Sequence, residues 1–153
     1  MLLLQERVMR VLETRIQISA SPEKVWSILT DFETYPQWNP FIKNAQGQIK
    51  VGAKLTIDLS PFRTKTMVFK PMVKSVVENR EFSWIGHFLF PGIFDGEHIF
   101  KIKPTESGCL FIQKENFSGF LLPLLWESLD KDTREGFEQM NQALKEKAEN
   151  QNQ

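Results

Sequence analysis

Hydrophobic and polar side chains alternate from Val11 to Ser19, with Leu12, Thr14, Ile16 and Ile18 on one side and Glu13, Arg15 and Gln17 on the other. That two-residue period predicts a strand with one buried face. Ser21 then offers a capping oxygen, Pro22 suits the first helical position and Glu23 favours the positive helix end, so a short helix through Val25, Trp26, Ile28 and Leu29 is expected. Thr30 and Glu33 have capping-box spacing for a second helix, which Pro36 and Pro40 keep short. Trp26, Tyr35, Trp38 and Phe41 are expected to tie these helices to the rest of the domain.

Strand-like runs separated by Gly, Pro, Asn and Asp follow at about 41–49, 54–60, 64–78, 81–90, 93–103 and 108–118. After Gly119 the period becomes helical: Leu122, Trp126, Leu129, Thr133, Phe137, Met140 and Leu144 recur every three or four residues among Glu, Lys, Asp and Gln. The order predicts an α+β fold in which a curved seven-stranded antiparallel sheet buries its inner face by curling around a long C-terminal helix, with two short helices after the first strand. No internal repeat or linker divides the chain, and the domain is expected over residues 10–148, with 1–9 an N-terminal extension and 149–153 a disordered tail.

Parity along two strands singles out a polar pair. His98 shares its side with Phe94, Phe100 and Ile102, and Glu115 shares its side with Cys109, Phe111, Gln113 and Phe117. A hairpin turning near Thr105 to Gly108 places Glu115 level with residues 95–99, so His98 and Glu115 are expected as inward-facing neighbours. Such a pair can act as a general base or orient a ligand hydroxyl, or the two groups can simply satisfy one another in the core. Leu55, Ile57, Met67, Phe69, Trp84, Phe88, Phe111, Gln113, Trp126, Leu129, Thr133 and Phe137 are the further candidates for an inner wall, which either lines a cavity or fills it. Pro91, Gly92 and Gly96 supply the turn chemistry of an ordinary hairpin.

Composition narrows the partners. Nineteen Lys and Arg balance nineteen Asp and Glu, which leaves no global field for nucleic acid, and the aromatic residues are not interleaved with basic ones as a strand-binding groove requires. Cys109 is the only cysteine and there are two histidines, so neither a disulfide nor a metal site is expected, and no cofactor is. The apolar stretch from Phe117 to Trp126 is too short to span a bilayer, and Met1 to Leu4 too short an apolar run for a signal peptide, so a cytoplasmic location is expected. Nucleophile-elbow, phosphate-loop, dinucleotide and zinc-protease motifs are all absent.

The run ISASPEKVWSILTDFETYPQWNPFI at 18–42 resembles the amino-terminal signature of the START-like (SRPBCC) superfamily. FDGEHIFKI at 94–102, GCLFIQKENFSG at 108–119 and the closing amphipathic helix resemble its polyketide cyclase/dehydrase branch. The resemblance implies a helix-grip fold with a cavity between sheet and C-terminal helix, used by relatives for lipids, hormones, polyketides and other apolar molecules. It leaves chemistry open. Three functions are therefore carried forward. The first is a carrier or sensor of a small hydrophobic molecule such as a lipid, quinone, polyketide or aromatic metabolite. The second is a cofactor-independent cyclase, dehydratase or aromatase using His98, with Glu115 or Tyr35, for acid/base chemistry. The third is a protein-interaction module with a filled cavity.

Overall fold

The two-residue period of the first segment becomes β1, Met9–Ile18, in a computed structural model that describes residues 9–60, 67–88 and 91–150. Leu12, Thr14 and Ile18 are buried while Glu13, Arg15 and Gln17 face solvent, as their alternation requires. Helix α1, Pro22–Thr30, starts where Ser21 accepts a hydrogen bond from the Lys24 amide. A 3-10 turn, Phe32–Thr34, leads into α2, Tyr35–Trp38. The capping box expected from Thr30 and Glu33 does not form, because the Thr30 hydroxyl donates back to the Trp26 carbonyl. Buried Tyr35 donates its hydroxyl to the Leu29 carbonyl and packs edge-on against Phe32 and Trp38, tying the short helices together.

The remaining strands are β2 Ile42–Gln46, β3 Thr56–Leu59, β4 Met67–Phe69, β5 Met72–Val77, β6 Glu81–Phe88, β7 Phe94–Thr105 and β8 Gly108–Ser118. They form two antiparallel sheets rather than one of seven strands: a five-stranded sheet in the order β1-β8-β7-β6-β5 and a three-stranded sheet in the order β2-β3-β4. The single strand expected at 64–78 is two, and its first residues, 64–66, lie outside the described ones. Pro71 is the reason for the break, since it has no N–H to continue a ladder and the chain leaves one sheet for the other there. The sheets remain stitched at this corner: Leu55 N–H donates to the Pro71 carbonyl, and Val73 N–H to that of Ala53.

Helix α3, Leu122–Asn150, lies across the inner face, so the helix takes in the first two residues of the expected tail. Phe137, Met140, Leu144 and Ala148 are buried along its apolar stripe. Burying side chains of this size contributes about 1.5–3 kcal/mol each for the larger ones. Gly136 admits the Phe41 ring, which occupies the place a Cβ would take and meets Phe137 edge-on. At the other end Glu149 accepts a hydrogen bond from the Ser19 amide, fastening the helix to the end of β1. Residues 1–8 and 151–153, parts of the expected extension and tail, lie outside the described residues.

Candidate functional site

A layer of polar side chains divides the interior into a filled half and a hollow one. Gln113 on β8 is fully buried, and its amide Nε2 donates to Asn141 Oδ1 at 2.7 Å and to the Phe137 carbonyl at 3.3 Å. Asn141 on α3 in turn donates through Nδ2 to Thr14 Oγ1 on β1 at 2.9 Å. With its nitrogen spent on two acceptors, Gln113 turns Oε1 to His98 Nε2, 3.0 Å away. The hydrogen-bond pattern therefore assigns the imidazole proton to Nε2 and leaves Nδ1 toward Glu115, whose Oε2 is 3.3 Å distant. His98 and Glu115 are direct cross-strand partners, as are Phe100 and Gln113, which puts all four side chains on one face.

On the hairpin side of this layer Phe82, Phe100, Ile102, Phe111, Met140 and Leu144 close the core, with Phe82 and Phe100 stacked at 4.5 Å. On the other side lies a cavity of about 310 Å³, the small end of the range for ligand pockets. Ile57, Leu59, Met67 and Phe69 wall it from the small sheet, Trp84, Phe94, His98, Glu115 and Phe117 from the large sheet, and Leu125, Ser128, Leu129, Asp132, Thr133 and Phe137 from α3. Phe41 adds a ring from the start of β2. Two glycines facing each other across β6 and β7, Gly86 and Gly96, also line it. The Phe69 ring lies where a Gly86 Cβ would project, and a Cβ on Gly96 would come within 2.5 Å of Glu115 Oε1. Met67 and Leu125 are 50% and 38% exposed, so the cavity reaches the surface between β4 and the start of α3.

Burial governs the electrostatics. Desolvation holds the His98 imidazole down at about 3, against the opposing hydrogen bond to Gln113, so the ring is neutral at physiological pH. The same cause pushes the Glu115 carboxyl up to about 8, with the nearby Glu97 carboxylate adding to the rise, so Glu115 keeps its proton near neutrality. The two directions agree on a neutral pair, with the proton on the carboxyl. The His98 ring is further held by stacking on Phe100 at 4.1 Å and by contact with Phe137 and Trp84.

Of the candidates named from sequence, Ile57, Met67, Phe69, Trp84, His98, Glu115, Leu129, Thr133 and Phe137 meet at this cavity. Four do not line it. Leu55 is buried at the corner between the sheets, beneath Gly47, and Phe111 sits beyond the polar layer against Phe100. Gln113 is the layer's centre, its polar atoms consumed within it. Trp126 is one helical step round from Leu125, and its ring meets Phe117 and the Arg10 guanidinium instead. Phe88 pairs opposite Phe94, but its side chain lies outside the described residues. Phe94, Phe117, Leu125, Ser128 and Asp132 belong to the wall without having been candidates. Strand parity with His98 and Glu115 marks the first two, and the helical stripe through Leu129 marks the others.

Among the described residues no cluster of His, Cys, Asp and Glu is arranged to hold a metal ion, and no helix is long and apolar enough to cross a membrane. No curated protein matches the sequence. Among solved structures, a START superfamily protein from Mycobacterium smegmatis is 25% identical with a TM-score of 0.68, over 92% of this chain and 97% of that one. The Zhui aromatase/cyclase of a Streptomyces species superimposes with a TM-score of 0.79 at 12% identity, covering 95% of this chain and 97% of its own. A norcoclaurine synthase point mutant from Thalictrum flavum does so at 0.75 and 12%, over 97% and 99% of the two chains. Residues 9–149, almost the whole chain, match one family, and the chain belongs to it: polyketide cyclase/dehydrase and lipid transport.

Proposed function

We propose that the protein binds a small hydrophobic molecule in the cavity between its sheets and α3, as a carrier or sensor. The observation that carries this reading is the cavity itself, about 310 Å³ walled by Trp84 and five phenylalanines and reaching the surface beside Met67 and Leu125. A filled interior, which an interaction module would have, fits this space poorly. Catalysis by His98 as general base also gains little support, because a base is most effective with a pKa near the working pH and burial holds this imidazole at about 3. Native mass spectrometry of gently purified protein tests the reading. The expected result is an adduct of an apolar metabolite that is lost or weakened in Trp84→Ala. A bare protein that also refuses a panel of lipids, quinones and polycyclic aromatics would remove it.

One observation favours a second reading, a cofactor-independent cyclase or dehydratase. Glu115 keeps its proton near neutrality and faces the cavity, as a general acid must. In this reading Glu115 turns its protonated oxygen from His98 to a substrate oxygen, and His98 is a positioning residue. Turnover of a polyketide-like substrate that persists unchanged in Glu115→Gln would eliminate it.

A further inference from the structure

The hydrogen-bond directions around Glu115 restrict what the cavity can hold, given that it binds an apolar molecule as proposed above. Gln113 Nε2 is committed to a backbone carbonyl and to Asn141, which fixes Gln113 Oε1 as acceptor and His98 Nε2 as donor. The lone pair left on Nδ1 faces Glu115 Oε2, so the carboxyl proton belongs on Oε2. If the proton instead moved to the imidazole, Oε2 would accept from Nδ1. In either protonation state the second oxygen, Oε1, lying over Gly96, can only accept a hydrogen bond.

The rest of the wall points the same way. Among the described residues no Lys or Arg lines the cavity, while Asp132 adds a second carboxyl on the α3 side beside the hydroxyls of Ser128 and Thr133. An anionic head group would enter against these acids with no countercharge among the described residues, at a large desolvation cost. An ammonium held at Glu115 would require that carboxyl to be ionised, which burial opposes. An uncharged donor meets neither penalty. Aromatic rings from both sheets and the helix, Phe69, Trp84, Phe94, Phe117 and Phe137 among them, suit a flat unsaturated body.

We propose that Glu115 selects uncharged, hydroxylated aromatic ligands of phenol type, its Oε1 accepting the ligand O–H, and that the cavity turns away carboxylates such as fatty acids. The selection rests on the ligand-binding reading, and its test separates the two. Three probes of one size, 2-naphthol, 2-methoxynaphthalene and 2-naphthoate, are titrated into the full-length protein by isothermal calorimetry at pH 7. For the native protein the expected order is naphthol tighter than methoxynaphthalene by about tenfold, the worth of one buried hydrogen bond, with naphthoate weakest.

Glu115→Gln is expected to keep the preference for naphthol, since its amide N–H can donate to His98 Nδ1 while its carbonyl still faces the ligand. Glu115→Leu is expected to bind naphthol and methoxynaphthalene alike, and its binding of the methyl ether reports that the cavity is still folded. Equal affinity of native protein for all three probes, or a naphthol preference that survives in Glu115→Leu, overturns the selection and leaves apolar binding standing. Failure of the native protein to bind any probe overturns the selection, and only a bare protein that also refuses the wider panel above overturns apolar binding with it.

Discussion

Replacing Glu115 by Gln should change the shape of the stability curve against pH, because Glu115 and His98 are shifted in opposite directions. The carboxyl is raised from 4.5 to about 8, so its contribution is fully present below pH 4.5 and is lost as pH rises through 8. The imidazole is lowered from 6.5 to about 3, so its contribution is present above pH 6.5 and is lost as pH falls through 3. Between pH 4.5 and 6.5 the two slopes cancel: the folded pair holds one proton on Glu115, and the unfolded chain holds one on His98. Above pH 6.5 the folded state increasingly holds the proton alone, and stability should fall by about 1 kcal/mol by pH 8. In a domain of this size that is a drop in Tm of about 2–4 °C.

The variant loses that fall and acquires a different slope. With Gln at 115 only His98 of the pair titrates, so stability should climb by about 2 kcal/mol from pH 4.5 to 6.5 and change little from there to pH 8. Other shifted groups do not intrude above pH 6.5. Cys109 is raised by burial from 9.0 to about 11, and Glu149 is lowered from 4.5, chiefly by its hydrogen bond from Lys145. Urea denaturation of both proteins at half-unit intervals from pH 4.5 to 8.5, at constant ionic strength, measures the difference curve. An equal decline of the two proteins between pH 6.5 and 8 would refute the neutral-pair assignment.

Three further outcomes follow from the packing. Gly96→Ala drives a Cβ to within 2.5 Å of Glu115 Oε1 and should cost about 1–3 kcal/mol while weakening apolar-probe affinity, measured by urea melts and calorimetry on one preparation. Phe137→Ala removes a ring that packs on His98 and Phe41, and a loss of about 3–5 kcal/mol in chemical denaturation is expected. Asn141→Leu deprives Gln113 Nε2 of its nearer acceptor and Thr14 of its donor. A loss of about 1–3 kcal/mol is expected in the same assay, and no loss would mean the polar layer is not a structural unit.

Local signals carried much of this architecture. Ser21 and Pro22 marked the start of α1, alternation set the faces of β1, β7 and β8, and the turn at residues 105–108 brought His98 opposite Glu115. Those features depend on neighbours a few residues away or on one hairpin. The polar layer does not: Thr14, Gln113 and Asn141 come from three distant segments, and Asn141 sits on an otherwise apolar stripe of α3. Gly86 was equally silent and Gly96 read as a hairpin turn residue although it lies within β7, because a missing side chain has no polarity to pattern; their importance appears only when Phe69 and Glu115 occupy the vacated space. The division of the strands into two sheets was signalled by Pro71, whose weight against the hydrophobic run around it depends on which strand lies alongside.

The layer through Thr14, Asn141, Gln113 and His98 also separates the packed half of the interior from the half that holds the cavity. Beyond it the stacked rings of Phe82 and Phe100 and the C-terminal turns of α3 form a foundation tied to the cavity side through a few hydrogen bonds. Amide exchange should therefore be slowest in the hairpin half of β7 and β8 and in α3 beyond Phe137, and faster around the cavity. Substitutions at Leu59, Phe94 or Leu125 can then reshape the cavity while the foundation retains the fold, so under the proposed function ligand preference can drift without each change being tested first against unfolding.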